Sequence, residues 1–218
     1  KTAYEISLGL VGSEMCIRDS HSLPFLTNND INQAHEINTA TAKALKNKLG
    51  DGYKGVLYGG FIATADGVKL IEYNARFGDP EAMNVLSLLE TDFIEICNGI
   101  TDGGLDHVDV HFKNKATVCK YAVPEGYPDN PVKGESIDLS NIKNPDNLFY
   151  SSVDMHNGKL IEAGSRTVAV VGIAESISAA EKIAEKEVTA VGGPLFHRGD
   201  IGTEVLIQQR VEQMELLR

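Results

Sequence analysis

One stretch constrains this chain more than any other: Ile71-Glu72-Tyr73-Asn74-Ala75-Arg76-Phe77-Gly78-Asp79-Pro80-Glu81. Read as a strand, its side chains alternate between two faces. Glu72, Asn74 and Arg76 then share one face. Ile71, Tyr73 and Ala75 take the other and are expected in a core. A carboxylate and an amide oxygen are hard ligands suited to Mg²⁺, which keeps waters and substrate phosphates in its remaining positions. A guanidinium beside them grips phosphate or carboxylate with two parallel donors. Metal plus Arg is the equipment of phosphoryl transfer, where catalysis is positioning and charge neutralisation. Gly78 lets backbone approach closely. Asp79-Pro80-Glu81 then predicts a helix start, with Asp79 as N-cap, Pro80 at the first helical position and Glu81 in the first turn. Such a start aims free N–H groups at the same region, a ready anion site. The plainer alternative is an exposed strand face followed by a capped helix. The carboxylate, amide, guanidinium and glycine crowded into one short segment favour function.

The elements around this stretch follow from spacing. Ile31, Ala34, Ile37, Thr41, Ala44, Leu45 and Leu49 recur at three and four, which predicts a helix over Asn28–Leu49. Thr27, Asn28 and Asn29 offer N-cap oxygens and Gly50 a stop. Gly55–Thr64 and Val68–Arg76 predict an antiparallel hairpin around Ala65-Asp66-Gly67. After Pro80, Met83, Leu86 and Leu89 predict a helix continuing through Phe93 and Ile96 to Ile100. Thr101-Asp102-Gly103-Gly104 breaks it and marks a domain boundary. Beyond that, strands are expected at His107–Phe112, Ala116–Val123, Phe149–Met155, Lys159–Ala163 and Thr167–Ile173. A helix capped by Ser176 or Ser178 should run to Val191, and a last helix from Gly202 onward. The fold class expected is α+β.

Composition narrows the function. The chain has 218 residues, with Lys and Arg totalling 20 against 31 for Asp and Glu, a net charge of -11. A general nucleic-acid binder needs a basic face, so that class is excluded, whereas a small phosphorylated ligand is not. No apolar run reaches membrane-spanning length, and no membrane partner is expected. Cys16, Cys97 and Cys119 are too few and scattered for a disulfide framework, which fits a cytoplasmic location. Cys97 and Cys119 read as core positions.

Residues 1–20 stand apart. Gly9 interrupts their apolar run, Glu14, Arg18 and Asp19 follow it, and a signal peptide is not supported. The segment SLGLVGSEMCIRDS resembles the translation of a transposon adapter used in sequencing libraries. Residues 1–20 are therefore expected to be a non-native leader, with 21–104 and 105–218 as two domains.

Gly-Val-Leu-Tyr-Gly-Gly at 55–60 and the 71–81 string together resemble the phosphoribosylamine–glycine ligase family, the glycinamide ribonucleotide synthetases of the ATP-grasp superfamily. The likeness continues through Pro-Glu-Gly-Tyr-Pro at 124–128, Lys133-Gly134, Ala163-Gly164-Ser165-Arg166 and Arg198-Gly199-Asp200-Ile201-Gly202. It covers roughly 21–218. The resemblance implies the C-terminal part of an ATP-grasp fold, an antiparallel sheet with helices, followed by a small α/β domain. It implies a ligase that uses ATP to phosphorylate glycine and lets the amine of 5-phosphoribosylamine attack the glycyl phosphate, a step of purine biosynthesis. By the same resemblance Glu72 and Asn74 are metal ligands for Mg²⁺ or Mn²⁺, and Ile62 lines the adenine pocket. Arg76, placed by the physical argument above, stabilises the transferring group. Asp79 and Glu81 either hold the glycine amino group or cap the helix, and Arg166 reaches toward substrate. Ser165 stands where the family more often has a second Gly. The family's substrate domain and its glycine-rich phosphate loop have no counterpart in these residues, so the chain is expected to be a fragment without ligase activity of its own. The alternatives are another ATP-grasp ligase or carboxylase, or a non-catalytic binding module. His107-x-Asp109-x-His111 carries metal-ligand types but lacks a further ligand, and is expected to be a solvated strand face.

Overall fold

The computed structural model describes residues 8–10, 17–18, 23–50 and 52–217. The chain forms two compact units that divide between Asn114 and Lys115, and again within the final helix between Leu206 and Ile207. Most of residues 1–20, where the leader is expected, lies outside the described residues. Leu8–Leu10 (β1) and Ile17–Arg18 (β2) are strands.

In the first unit, α1 spans Asn28–Leu49. Thr27 caps it, its hydroxyl accepting from the Asp30 N–H while the Asp30 carboxylate accepts from the Thr27 N–H at 2.8 Å. This reciprocal arrangement satisfies two otherwise orphaned donors. β3 (Tyr58–Thr64) and β4 (Gly67–Asn74) pair antiparallel around the expected turn, and β1 pairs parallel with β3. The register shifts between Gly60 and Phe61. Gly60 faces Glu72 and Phe61 faces Leu70, so Ile71 is the extra residue of a bulge.

The bulge decides which residues enter the core. Phe61, Ala63, Val68, Leu70 and Tyr73 share the face that packs on α1, where Ala34, Phe61 and Val68 form the buried cluster. Phe61 meets Tyr73 edge-on at 6.5 Å. The Tyr73 hydroxyl donates to Asn38 Oδ1 at 2.8 Å, and burial raises its pKa. Ile71 and Ala75, expected in this core, are exposed instead, Ile71 by 50%. The extra residue breaks the two-residue alternation that had placed Ile71 beside Tyr73, and Ala75 lies past the strand's end.

The single helix expected from Pro80 to Ile100 is two: α2 (Glu81–Leu88) and α3 (Phe93–Asp102). Leu89 bridges to Phe112, and Asp92 starts α3 afresh, its carboxylate accepting from the Ile94 N–H at 2.7 Å. An N-cap residue inside a continuous apolar pattern outweighs that pattern. His107–Phe112 is not a strand. Leu105–His107 is a 3-10 turn, and only Phe112 makes a β-bridge.

In the second unit β5 (Ala116–Pro124) is central, paired with β2, with β9 (Val168–Ala174) and with β10 (Leu195–Phe196). β6 (Leu148–Tyr150) extends the sheet beside β9. β7 (Val153–His156) and β8 (Lys159–Glu162) form a separate hairpin, so the strand expected at Phe149–Met155 is split between two sheets. α4 (Ile177–Thr189), capped by Ser176, lies on β9 and β5. Gly172 makes that contact possible, since any Cβ there would collide with the Ala180 carbonyl and come within 2.8 Å of Ala184 N. Val118, Ala122, Val168, Val170, Ala180, Ala184 and Val188 form the core. α5 (Glu204–Leu217) ends the described chain.

Candidate functional site

Glu72 and Asn74 stand on the β4 face turned away from α1, with the Asn74 amide donating to Glu72 Oε1 at 3.3 Å. Glu72 is exposed and Asn74 half-buried. Ile62, 42% exposed, lies on the same face of neighbouring β3, two residues beyond the partner of Glu72. One solvent-facing sheet surface thus carries an apolar residue, a carboxylate and an amide. The carboxylate and amide oxygens form a hard donor pair that fits a divalent cation of the Mg²⁺ type, leaving most positions to water or phosphate. The side chains already lie within hydrogen-bonding reach, and turning the amide would bring both oxygens to one point.

β4 ends at Asn74, short of Arg76. The Tyr53 hydroxyl takes the Ala75 carbonyl at 2.9 Å, and the chain bends away. Arg76 is exposed, its guanidinium donating to the Phe77 carbonyl at 2.8 Å. Strand alternation therefore brings Glu72 and Asn74 together but does not extend to Arg76, which lies on the loop after β4.

The turn that follows is compact. Gly78 is buried, and a Cβ there would collide with the Glu81 carboxylate and come within 3.2 Å of the Tyr58 ring. Glu81 opens α2 and is half-buried, while Asp79 is exposed. The N-cap position is Pro80, not Asp79. With φ -96° and ψ 8°, Pro80 stands outside the helix it was expected to begin. A proline side chain has no capping oxygen, and the Ala82 and Met83 N–H groups are satisfied by the Gly78 and Pro80 carbonyls at 2.9 and 3.0 Å. The helix start consequently offers fewer open donors to an anion than the sequence suggests.

Arg166 belongs to the second unit, its guanidinium lying 5.2 Å above the Tyr121 ring. His111 pairs with Asp109 at 3.0 Å, and among the described residues no group of His, Cys, Asp or Glu is arranged to hold a metal ion. Cys119 is buried and Cys97 half-buried, both as free thiols. Among the described residues no helix is long and apolar enough to cross a membrane.

Sequence reading missed a buried ionic cluster in the second unit. Lys120, fully buried on β5, donates to Glu181 at 2.7 Å, to Glu185 at 2.5 Å and to the Gly199 carbonyl at 3.1 Å. His197 pairs with Glu185 at 3.0 Å, and Arg198 makes two hydrogen bonds to Asp200. A lysine inside an apolar strand, with glutamates four apart on the following helix, was the available signal. The cluster fixes the Arg198–Gly202 loop on the sheet.

The antiparallel hairpin backed by α1, with the carboxylate–amide pair on its open face, lies in a segment that matches an ATP-grasp domain. Two family models match the chain: the ATP-grasp (A) domain of phosphoribosylglycinamide synthetase over residues 12–82 and the C domain of the same protein over residues 117–204. The chain belongs to the phosphoribosylglycinamide synthetase family. It is 53% identical over 213 residues to the phosphoribosylamine–glycine ligase of Methanocaldococcus jannaschii, covering 96% of this chain and 47% of the relative. It is 49% identical over 220 residues to that of Methanosarcina barkeri, covering 100% of this chain and 51% of the relative. The chain therefore spans about half the length of the curated relatives it matches. The crystal structure of phosphoribosylamine–glycine ligase from Thermotoga maritima superimposes with a TM-score of 0.70 at 26% identity, covering 85% of this chain and 50% of that one. The biotin carboxylase domain of the Hydrogenobacter thermophilus 2-oxoglutarate carboxylase, solved with magnesium ADP and bicarbonate, shares the fold at a TM-score of 0.54 and 16% identity, covering 92% of this chain and 42% of that one.

Proposed function

We propose that this chain supplies the metal-binding strand and the C domain of an ATP-dependent ligase that joins glycine to 5-phosphoribosylamine. The products are glycinamide ribonucleotide, ADP and phosphate, made through a glycyl phosphate. The observation that carries this reading is the Glu72–Asn74 pair on the open face of β4, inside the segment matched by the family's ATP-grasp model.

In this reading Glu72 and Asn74 hold Mg²⁺ or Mn²⁺, which when bound neutralises phosphate charge. Ile62 offers an apolar edge to the adenine ring. Arg76, on the loop leaving β4, is free to swing from the Phe77 carbonyl onto the transferring phosphoryl, where a guanidinium stabilises developing charge. Glu81, folded against Gly78, and Asp79 beside it offer carboxylates to the glycine amino group. Arg166 is a second candidate substrate contact, from the C domain. ATP, glycine and 5-phosphoribosylamine are the small-molecule partners, and the cytoplasm is the expected location.

The test is made in the complete protein. Replacing Arg76 with Lys keeps the charge but loses the planar pair of donors. Glycine-dependent ADP release should fall with KM for glycine little changed, and an unchanged kcat would overturn the role of Arg76.

A further inference from the structure

Three motifs of the C domain are joined by backbone hydrogen bonds at or next to one buried residue, Glu162. Glu162 closes β8 and is 1% exposed, and neither of its carboxylate oxygens has a hydrogen-bond partner among the described residues. Its backbone is tied to the Lys133-Gly134 segment from both sides. The Gly134 N–H donates to the Glu162 carbonyl at 2.8 Å, and the Glu162 N–H donates to the Glu135 carbonyl at 3.0 Å. That segment is in turn tied to the Pro124–Pro128 loop, the Val132 N–H donating to the Glu125 carbonyl at 2.9 Å. Ala163-Gly164-Ser165-Arg166 leaves directly from Glu162, and the Ala163 N–H donates to the Ser152 carbonyl.

The charged groups acting on this carboxyl are Glu135, on the strap just after Gly134, and Glu125, at the end of β5. Both are acidic. Arg166, four residues along, lies over the Tyr121 ring. The contrast with Glu187 is instructive. Glu187 is also buried, but its oxygens accept from the Lys143 N–H at 2.8 Å and from the Asn144 side-chain amide at 2.9 Å. A carboxylate at Glu162 has burial, two like charges and no donor against it. The neutral acid is the form this environment accepts.

We propose that Glu162 is a proton-operated clasp: protonated, it seats the 125–135 strap against the end of β8, and ionised, it is driven toward solvent and frees the strap. The proton passes to bulk water and no other group changes. Burial first, then repulsion from Glu135 and Glu125, raises the pKa above the ordinary 4.5, which places the transition on the alkaline side of that value. The direction follows from linkage. A raised folded pKa means the native state holds the proton that the unfolded chain has lost, so the stabilising seat is complete below 4.5 and is lost as pH rises through the folded value.

The experiment is amide hydrogen exchange on the 218-residue chain across pH 5 to 8, reading protection at Gly134 and Glu162 after correction for intrinsic exchange. Protection should fall with pH, by at most about tenfold per unit for one linked proton. In Glu162→Gln the fall should disappear, because that side chain does not titrate. Should Glu162→Gln not fold, the ¹³C carboxyl resonance of Glu162 in the wild-type chain decides. A midpoint above 4.5 that drops in Glu135→Gln supports the clasp. Equal pH profiles in the two chains, or a carboxyl midpoint at or below 4.5, overturn it.

Discussion

The Asn74 side-chain amide donates to Glu72 Oε1 at 3.3 Å, two residues apart on one strand face. The two side chains therefore share one space, and a cation accepted there would replace that hydrogen bond with two metal–oxygen bonds. Glu72 supplies the charge and Asn74 the second oxygen. Glu72→Gln keeps the shape and removes the charge. In the complete protein Mn²⁺ affinity, followed by electron paramagnetic resonance, should weaken by roughly tenfold or more, a loss of about 1.4 kcal/mol or greater. Unchanged affinity would place the metal elsewhere.

Gly78 is a steric prediction. Gly78→Ala sets a methyl against the Glu81 carboxylate and the Tyr58 ring. The flexible Glu81 side chain moves first, so the fold should survive while the turn shifts. Because misplacement of about 1 Å costs around a hundredfold in rate, kcat/KM should fall by about ten- to a hundredfold. The melting temperature should change little. Steady-state kinetics and a thermal melt on the same sample separate the two effects.

Two features hold the second unit together, and each can be removed. Gly172→Ala places a methyl into the Ala180 carbonyl, which neither β9 nor α4 can yield without separating. Overpacking of this kind costs about 1–3 kcal/mol, or more where backbone must move, and should lower the calorimetric melting temperature by several degrees. Lys120→Met leaves Glu181 and Glu185 without their common partner. The carboxylates left behind are partly exposed, so the loss in a thermal melt should fall below the ~3–5 kcal/mol of a fully buried pair.

Acid should loosen the same region. Burial pushes the Glu185 carboxyl up, but hydrogen bonds and charge from Lys120 and His197 outweigh it and hold the pKa below the ordinary 4.5. The Arg198 hydrogen bonds, against a smaller effect of burial, hold Asp200 below the ordinary 3.8. A depressed folded pKa contributes stability that is present above the unfolded value and lost as pH falls through the folded one. Thermal melts should therefore decline below about pH 4.5 in the wild-type chain. In Lys120→Met that acid-side decline should be shallower.

The fold was legible where one local signal acted alone. Thr27, the apolar spacing and Gly50 bound α1 at Asn28 and Leu49, and Asp66-Gly67 places the hairpin turn. The sequence failed where a non-periodic device intervened. Ile71 as a bulge residue cannot be told from a paired residue by alternation, since both fit a run of apolar and polar side chains. Asp92 stops one helix and starts another inside an unbroken apolar pattern. Glu72 and Asn74 were legible because strand spacing alone puts them on one face. Arg76 was not, because its position depends on where the strand ends, and Tyr53 sets that end from far along the chain. The Lys120 cluster and the clasp at Glu162 depend on contacts between distant segments.

The most direct measurement of the central claim uses the complete protein carrying Glu72→Ala together with Asn74→Ala. Glycine- and phosphoribosylamine-dependent ADP release is followed with saturating Mg²⁺, beside the far-ultraviolet circular dichroism of the same sample. Turnover should fall by at least about a hundredfold, the scale on which a preorganised electrostatic contact acts, with the spectrum unchanged. Turnover at the wild-type rate in a folded double variant would contradict the assignment of this strand face as the metal site of a ligase.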